Sequence, residues 1–222
     1  MTRRTNARIA GVAYLLYIAV AYPSMLLSDR ATSGVGMAAK LANIALHATD
    51  LRIAALLSLI GCFCALALAV TLYALTRDQD RDLAMLGLTC RVAEGVTGAT
   101  SIPTTLGLLA VATAAGTSAP DPAAAGVLVA FVLNQPWLIA ATFFAVGSTL
   151  FSWLLLRGRL VPVWLAALGV IASVVIAIGL PLQVMEVLPG LVTRLMWLPI
   201  LVFELVLAVW LIVKGVATPE AR

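Results

Sequence analysis

A single histidine, His47, is the scarcest feature of this 222-residue chain, and its isolation removes several membrane chemistries at once. A bis-histidine haem, the histidine boxes of a di-iron desaturase and an H-E-x-x-H zinc site each need two or more imidazoles. An intramembrane Ser-His protease needs a histidine at depth, whereas His47 precedes the second apolar run. His47 and Asp50 at i,i+3 offer two ligands, which suit a solvated or capping pair better than a metal site. The three cysteines, Cys62, Cys64 and Cys90, all sit inside apolar runs, so they form neither loop disulfides nor the paired external thiols of a disulfide oxidase. Cys62 and Cys64, two apart, do not share a helical face and read as small apolar fillers. The two lysines, Lys40 and Lys214, lie at or beyond the span boundaries, which excludes a mid-membrane Schiff base.

Charge is also scarce, at 11% of residues against 63% hydrophobic, with a mean hydropathy of +1.08. Soluble domains are nearer a quarter charged. This apolar excess has no interior large enough to hide in and must face hydrocarbon. The chain is an all-α integral membrane protein. Its basic residues come in twos and threes beside apolar stretches, which is a topology signal and not a solvated nucleic-acid face.

At about 20 apolar residues per crossing, six spans are predicted as one transmembrane domain: 9–27, 52–75, 83–109, 127–156, 163–184 and 195–213. Ala19-Val20-Ala21 fits a signal cleavage site, but the apolar run continues to Leu27, too long for a signal peptide, and the span is expected to be retained. Nine Arg and Lys fall on one side (Arg3, Arg4, Arg8, Arg77, Arg81, Arg157, Arg159, Lys214 and Arg222), against Arg30, Lys40, Arg52 and Arg194 on the other. By the positive-inside rule both termini are cytoplasmic. The external stretch from Ser28 to Asp50 contains an amphipathic run, with Met37, Leu41, Ile44 and Ala48 on one face. It is either an interfacial helix or an extension of span two. Most tryptophans fall near span ends and read as interface anchors.

Three ionisable residues do not fit this scheme. Arg91 and Glu94 lie roughly 12 to 17 Å past the edge of span three at 1.5 Å per residue, and Glu204 falls near the centre of span six. Facing lipid, each would cost some 2.5 to 3.5 kcal/mol on insertion scales, so all three are expected to face inward and meet. Arg91 and Glu94, at i,i+3, share a helical face and can pair. One guanidinium between two carboxylates leaves a surplus negative charge. Either one Glu carries a proton, or donors at similar depth compensate, the candidates being Tyr14, Tyr17, Asn134 and Gln135.

Beyond Glu94 the run from Gly95 to Thr105 is too small and polar for a lipid-facing helix, which predicts span three as the central helix. Pro103 is expected to kink or break it, with similar interruptions at Asn134-Gln135-Pro136 and Gly179-Leu180-Pro181. Discontinuous helices around a polar centre can build a substrate site. At the outer end, Gln183, Glu186 and Arg194 form either a mouth or an ordinary solvated turn.

Several strings carry a resemblance: Arg8-Ile9-Ala10-Gly11 with Tyr14-Leu15, Leu72-Tyr73 with Leu75, Arg91-Val92-Ala93-Glu94, and Glu204-Leu205 followed by Trp210-Leu211 and Lys214-Gly215-Val216. Together they resemble the bacterial domain-of-unknown-function family 4386 over nearly the whole chain. The resemblance implies a six-helix membrane protein and supplies no substrate or reaction; the location expected for the chain is a bacterial inner membrane. Family members often carry an acidic residue in span two, where this chain has Cys62-Phe63-Cys64.

The leading reading is a polar centre at Arg91, Glu94 and Glu204 that binds or transports a small molecule, a lipid headgroup or a proton. The alternative is a scaffold or accessory subunit in which the same residues clamp helices. An intramembrane enzyme ranks third, because no nucleophile-base pair or metal set is visible. Expected partners are membrane lipids and a small-molecule or lipid ligand, with a homo-oligomer left open, and neither cofactor nor metal is expected.

Overall fold

The first apolar run carries no Gly-Pro break and no β-rich patch, and it forms a single helix, α1 (Arg3–Ala31), that passes through Pro23 without interruption. After a turn at Gly34 and Gly36, both at positive φ, come α2 (Met37–Leu46), α3 (Ala48–Thr76), α4 (Arg81–Ala99) and α5 (Ser101–Thr113). They are followed by α6 (Pro122–Leu133), α7 (Leu138–Arg157), α8 (Val163–Val184), α9 (Gly190–Leu195) and α10 (Leu198–Val213). This computed structural model describes residues 2–114, 121–133 and 138–217.

Six helical segments are long and apolar enough to cross a membrane: Arg3–Ala31, Ala48–Thr76, Arg81–Thr113, Leu138–Arg157, Val163–Val184 and Gly190–Val213. They correspond to the six expected spans: the first three reach further at both ends, the fifth has the expected bounds, and the sixth starts earlier, at Gly190. The stretch read as one span over 127–156 holds two helices, α6 and α7, of which α7 has the length to cross. The amphipathic run forms a separate short helix, α2, closed by His47.

Two proline expectations part ways. α4 stops at Ala99 and α5 begins at Ser101, so the segment is interrupted at Thr100. Pro103 sits in the first turn of α5, where a missing N–H costs nothing because that donor has no partner in its own helix. The expected interruption at Gly179-Leu180-Pro181 is absent, because α8 runs through to Val184. Pro181 lies within a turn of the helix end and forfeits one bond, while Gly179 serves close packing: a Cβ there would stand 2.7 Å from Met196 Sδ.

The chain divides into two compact units. The first holds Met1–Tyr17, Phe63–Gly95 and Leu138–Arg222, with a core that includes Leu68, Leu72, Phe151, Leu155, Ile176, Phe203 and Leu207. At its basic end Asp80 does two jobs: its Oδ1 accepts from the Leu83 N–H at 3.1 Å, capping α4, and its Oδ2 lies 3.0 Å from Arg157 Nη1 at the end of α7. The second unit, Ile18–Cys62 with Val96–Trp137, packs α2 against α5 and α6 around Ile44, Leu51, Leu108 and Leu109.

Span three is not the central helix. Of its most apolar window 17% is buried, against 50% for α7. The small polar run does not require a protein interior, since its hydroxyls satisfy themselves: Thr100 donates to Thr97 O, Ser101 to Gly98 O, Thr104 to Thr100 O and Thr105 to Ser101 O.

Candidate functional site

Arg91 projects from α4 into the first unit and is wholly buried, as are Glu94 and Glu204 to within a few per cent. The guanidinium Nη1 lies 2.9 Å from Glu94 Oε2, three residues on along the same helix. Glu94 is held from the other side by α1, whose Tyr17 hydroxyl donates to its Oε1 at 2.9 Å. One oxygen of Glu94 thus faces the guanidinium and the other accepts from a hydroxyl.

The remaining walls of the guanidinium come from α7 and from Tyr17 of α1. Arg91 Nη1 donates to Ser148 Oγ at 3.5 Å, and Arg91 Cζ stands 4.9 Å from the Phe144 ring centroid and 6.0 Å from that of Tyr17, both within cation–π reach. Gly147 makes room for the stem: a Cβ at that position would lie 3.1 Å from Arg91 Cγ and Cδ. Phe144, Gly147 and Ser148 were not singled out from sequence. Their spacing of three and four puts them on one face of α7, but small and aromatic residues in an apolar run give no hint of a cationic neighbour.

Glu204 belongs to the same unit and feels the charges of Arg91 and Glu94, yet it forms no ion pair with any described residue. The expectation that all three charges meet is thus corrected to one direct pair with a third carboxyl nearby. Span position fixes depth but not the reach of a side chain, and Arg91 takes the partner on its own helix. Glu204 Oε1 is buried with no hydrogen-bond partner among the described residues, and so are Arg91 Nε and Nη2. Tyr14, buried on α1 one turn before Tyr17, lies within electrostatic reach of Glu204, Arg91 and Glu94.

Asn134 and Gln135 lie outside the described residues. Glu186 and Arg194 are both exposed around the turn between α8 and α9 without an ion pair between them, the arrangement of a solvated turn. His47 Nδ1 lies 3.2 Å from Asp50 Oδ2 across the junction of α2 and α3, and among the described residues no group of three metal-ligating side chains occurs. Cys64 and Cys90 are buried.

Two chemical facts define the centre. An Arg91–Glu94 ion pair whose carboxylate also accepts from the Tyr17 hydroxyl already exists, with Arg91 Nε and Nη2 unpartnered among the described residues, and a second carboxyl is buried in the same unit with an oxygen left over. The arrangement holds no nucleophile beside a base. The family model described as Domain of unknown function (DUF4386) matches residues 9–215. No curated protein and no solved structure matches the chain.

Proposed function

The chain belongs to the DUF4386 family of unknown function, and from its buried centre we propose that it is a proton-binding, multi-pass membrane protein in which Glu204 carries the proton. The reading rests on one observation: Glu204 Oε1 is buried with no hydrogen-bond partner among the described residues, while the one buried cation within its electrostatic reach, Arg91, is already paired with Glu94. An ionised Glu204 would set two carboxylates against the one buried cation, Arg91, in a medium of low dielectric, whereas its protonated form leaves the centre neutral. A proton needs no cavity, which agrees with the closed packing around Arg91. A small molecule or lipid headgroup would require the helices to part. Among the described residues, the titratable and charged groups within electrostatic reach of Glu204 are Arg91 and Glu94 from α4 and Tyr14 and Tyr17 from α1.

The orientation goes with this reading. The excess of Arg and Lys at the Arg77–Arg81 and Arg157–Arg159 turns and at the two ends of the chain supports cytoplasmic termini in a bacterial inner membrane. In a background lacking the native cysteines, a Cys at Ala217 is then shielded from a membrane-impermeant thiol reagent in intact cells. Labelling without lysis reverses the orientation.

A second reading, a static clamp between helices, draws on the complete burial of Arg91 and its tight seat against Gly147. Infrared spectroscopy of the protein in lipid separates the two. A proton site shows the carbonyl band of a protonated carboxyl that shifts in D2O and vanishes in Glu204→Gln. A wild-type spectrum without that band, or a band that survives Glu204→Gln, removes the proton from Glu204. A band that D2O never shifts describes a locked proton, and with it the clamp.

A further inference from the structure

The outward face of α10 carries a shallow, open groove of about 440 Å³ lined by Leu205, Val206, Val209, Trp210 and Val213, with Lys214 at its end. These positions recur in pairs every four residues, so the groove follows the helix axis for about 13 Å. Its walls are apolar and no carboxylate lines it. Lys214 is exposed and takes part in no ion pair with a described residue. The chain leaves α10 in a turn at Gly215, φ 75°, and Ala217 N–H donates to Leu160 O at 2.9 Å, which holds the Lys214 end of α10 beside the α7–α8 turn.

A second cation lies at the same axial level. Tyr14 of α1 feels Glu204, whereas Gly11 packs so closely on α10 that a Cβ would stand 2.6 Å from Ala208 O and from Ile212 Cγ1. As the number falls along α1 it rises along α10, so the two helices are antiparallel. Arg8, exposed and one turn before Gly11, therefore belongs to the level of Lys214.

An apolar trough at membrane depth that ends at Lys214, with Arg8 at the same level of α1 and neither cation in an ion pair with a described residue, fits a molecule with a hydrocarbon tail and a negative head. We propose that the groove binds one anionic phospholipid, its acyl chain along Leu205, Val209 and Val213 and its phosphate at Lys214 and Arg8. Trp210, half-buried one turn before Lys214, has its ring at the depth where indoles meet headgroups. A zwitterionic lipid fits the trough equally but brings its own ammonium toward the two cations. A second copy of the chain, docked by a two-fold axis, would bring Lys214 and Arg8 toward their own counterparts with no carboxylate between them. This site is independent of the proton reading.

The test is native mass spectrometry of the full chain released from detergent with phosphatidylglycerol or phosphatidylcholine added. The wild type retains one phosphatidylglycerol in preference to phosphatidylcholine. Lys214→Gln, on an exposed side chain, leaves the melting temperature unchanged and lowers that preference about fivefold, the worth of one juxtamembrane cation. Val209→Trp fills the trough and loses both lipids. Equal retention of the two lipids by the wild type overturns the site, as does an unchanged preference in Lys214→Gln. A dimer that Val209→Trp dissociates assigns the groove to a second copy instead.

Discussion

Arg91→Met lowers the unfolding free energy by about 3–5 kcal/mol, the loss measured when one partner of a buried ion pair is removed. Methionine keeps the unbranched stem that runs past Gly147 and lies against Phe144, so the change reports charge and not packing. What remains is Glu94, 4% exposed, still accepting from the Tyr17 hydroxyl but without the guanidinium charge. The double variant Arg91→Met with Glu94→Met restores most of the loss, because an apolar replacement of both partners costs little. Reversible unfolding in mixed micelles, read as a double-mutant cycle, yields the coupling. If Arg91→Met melts with the wild type, the pair carries no stabilising charge interaction and the neutral pair on which the Glu204 reading stands does not exist.

That pair was legible in the sequence for a simple reason. A charged residue at the centre of a 20-residue apolar run cannot face lipid, and a spacing of three places Arg91 and Glu94 on one face whatever the rest of the fold does. The six crossings were legible because hydrocarbon thickness sets their length. Three features were not. Glu204 could be assigned a depth, but how far it stands from Arg91 depends on helix rotation and rotamers, which hydropathy does not encode. Phe144, Gly147 and Ser148 look like ordinary residues of a packed membrane helix until an arginine is placed against them. The run from Gly95 to Thr105 misled in the other direction. Side-chain hydroxyls that bond their own helix carbonyls are no guide to burial, and the segment that looked most like a centre is the least buried of the six.

The proline readings carry a related lesson about position within a helix. Pro103 and Pro181 remove the same donor, yet one lies just after an interruption and the other within a continuous helix. Pro103 falls where a new helix has just started and its donor is surplus. Pro181 falls near an end, where the loss of one bond is outweighed by the apolar contacts of α8, whose Ile176 and Leu180 are fully buried. Counting prolines in spans therefore overstates how many helices are discontinuous, and with it the case for a substrate site built from broken helices.

Gly169→Ala tests how tightly the centre is held, and it is expected to cost about 1–3 kcal/mol or more, the range for a methyl forced into a filled core. Gly169 sits on α8 where α7 and α10 converge. An added Cβ would overlap the Phe203 ring and stand 2.7 Å from Ser152 Oγ. Phe203 is 1% exposed, so its ring has no free space to turn into, and the strain passes to α10 itself. The residue after Phe203 is Glu204, so the same substitution is expected to shift the Glu204 carboxyl band as well as the melting temperature. Gly98→Ala supplies the control, since nothing lies within 4 Å of a Cβ there. It should be neutral or gain up to about 1 kcal/mol from helix propensity. Phe203→Leu in the Gly169→Ala background should recover part of the loss, because a smaller side chain yields the space the methyl needs. Equal melting of Gly169→Ala and Gly98→Ala would show that α10 yields freely at Phe203, and a carboxyl held by so loose a helix could not keep a fixed relation to Arg91.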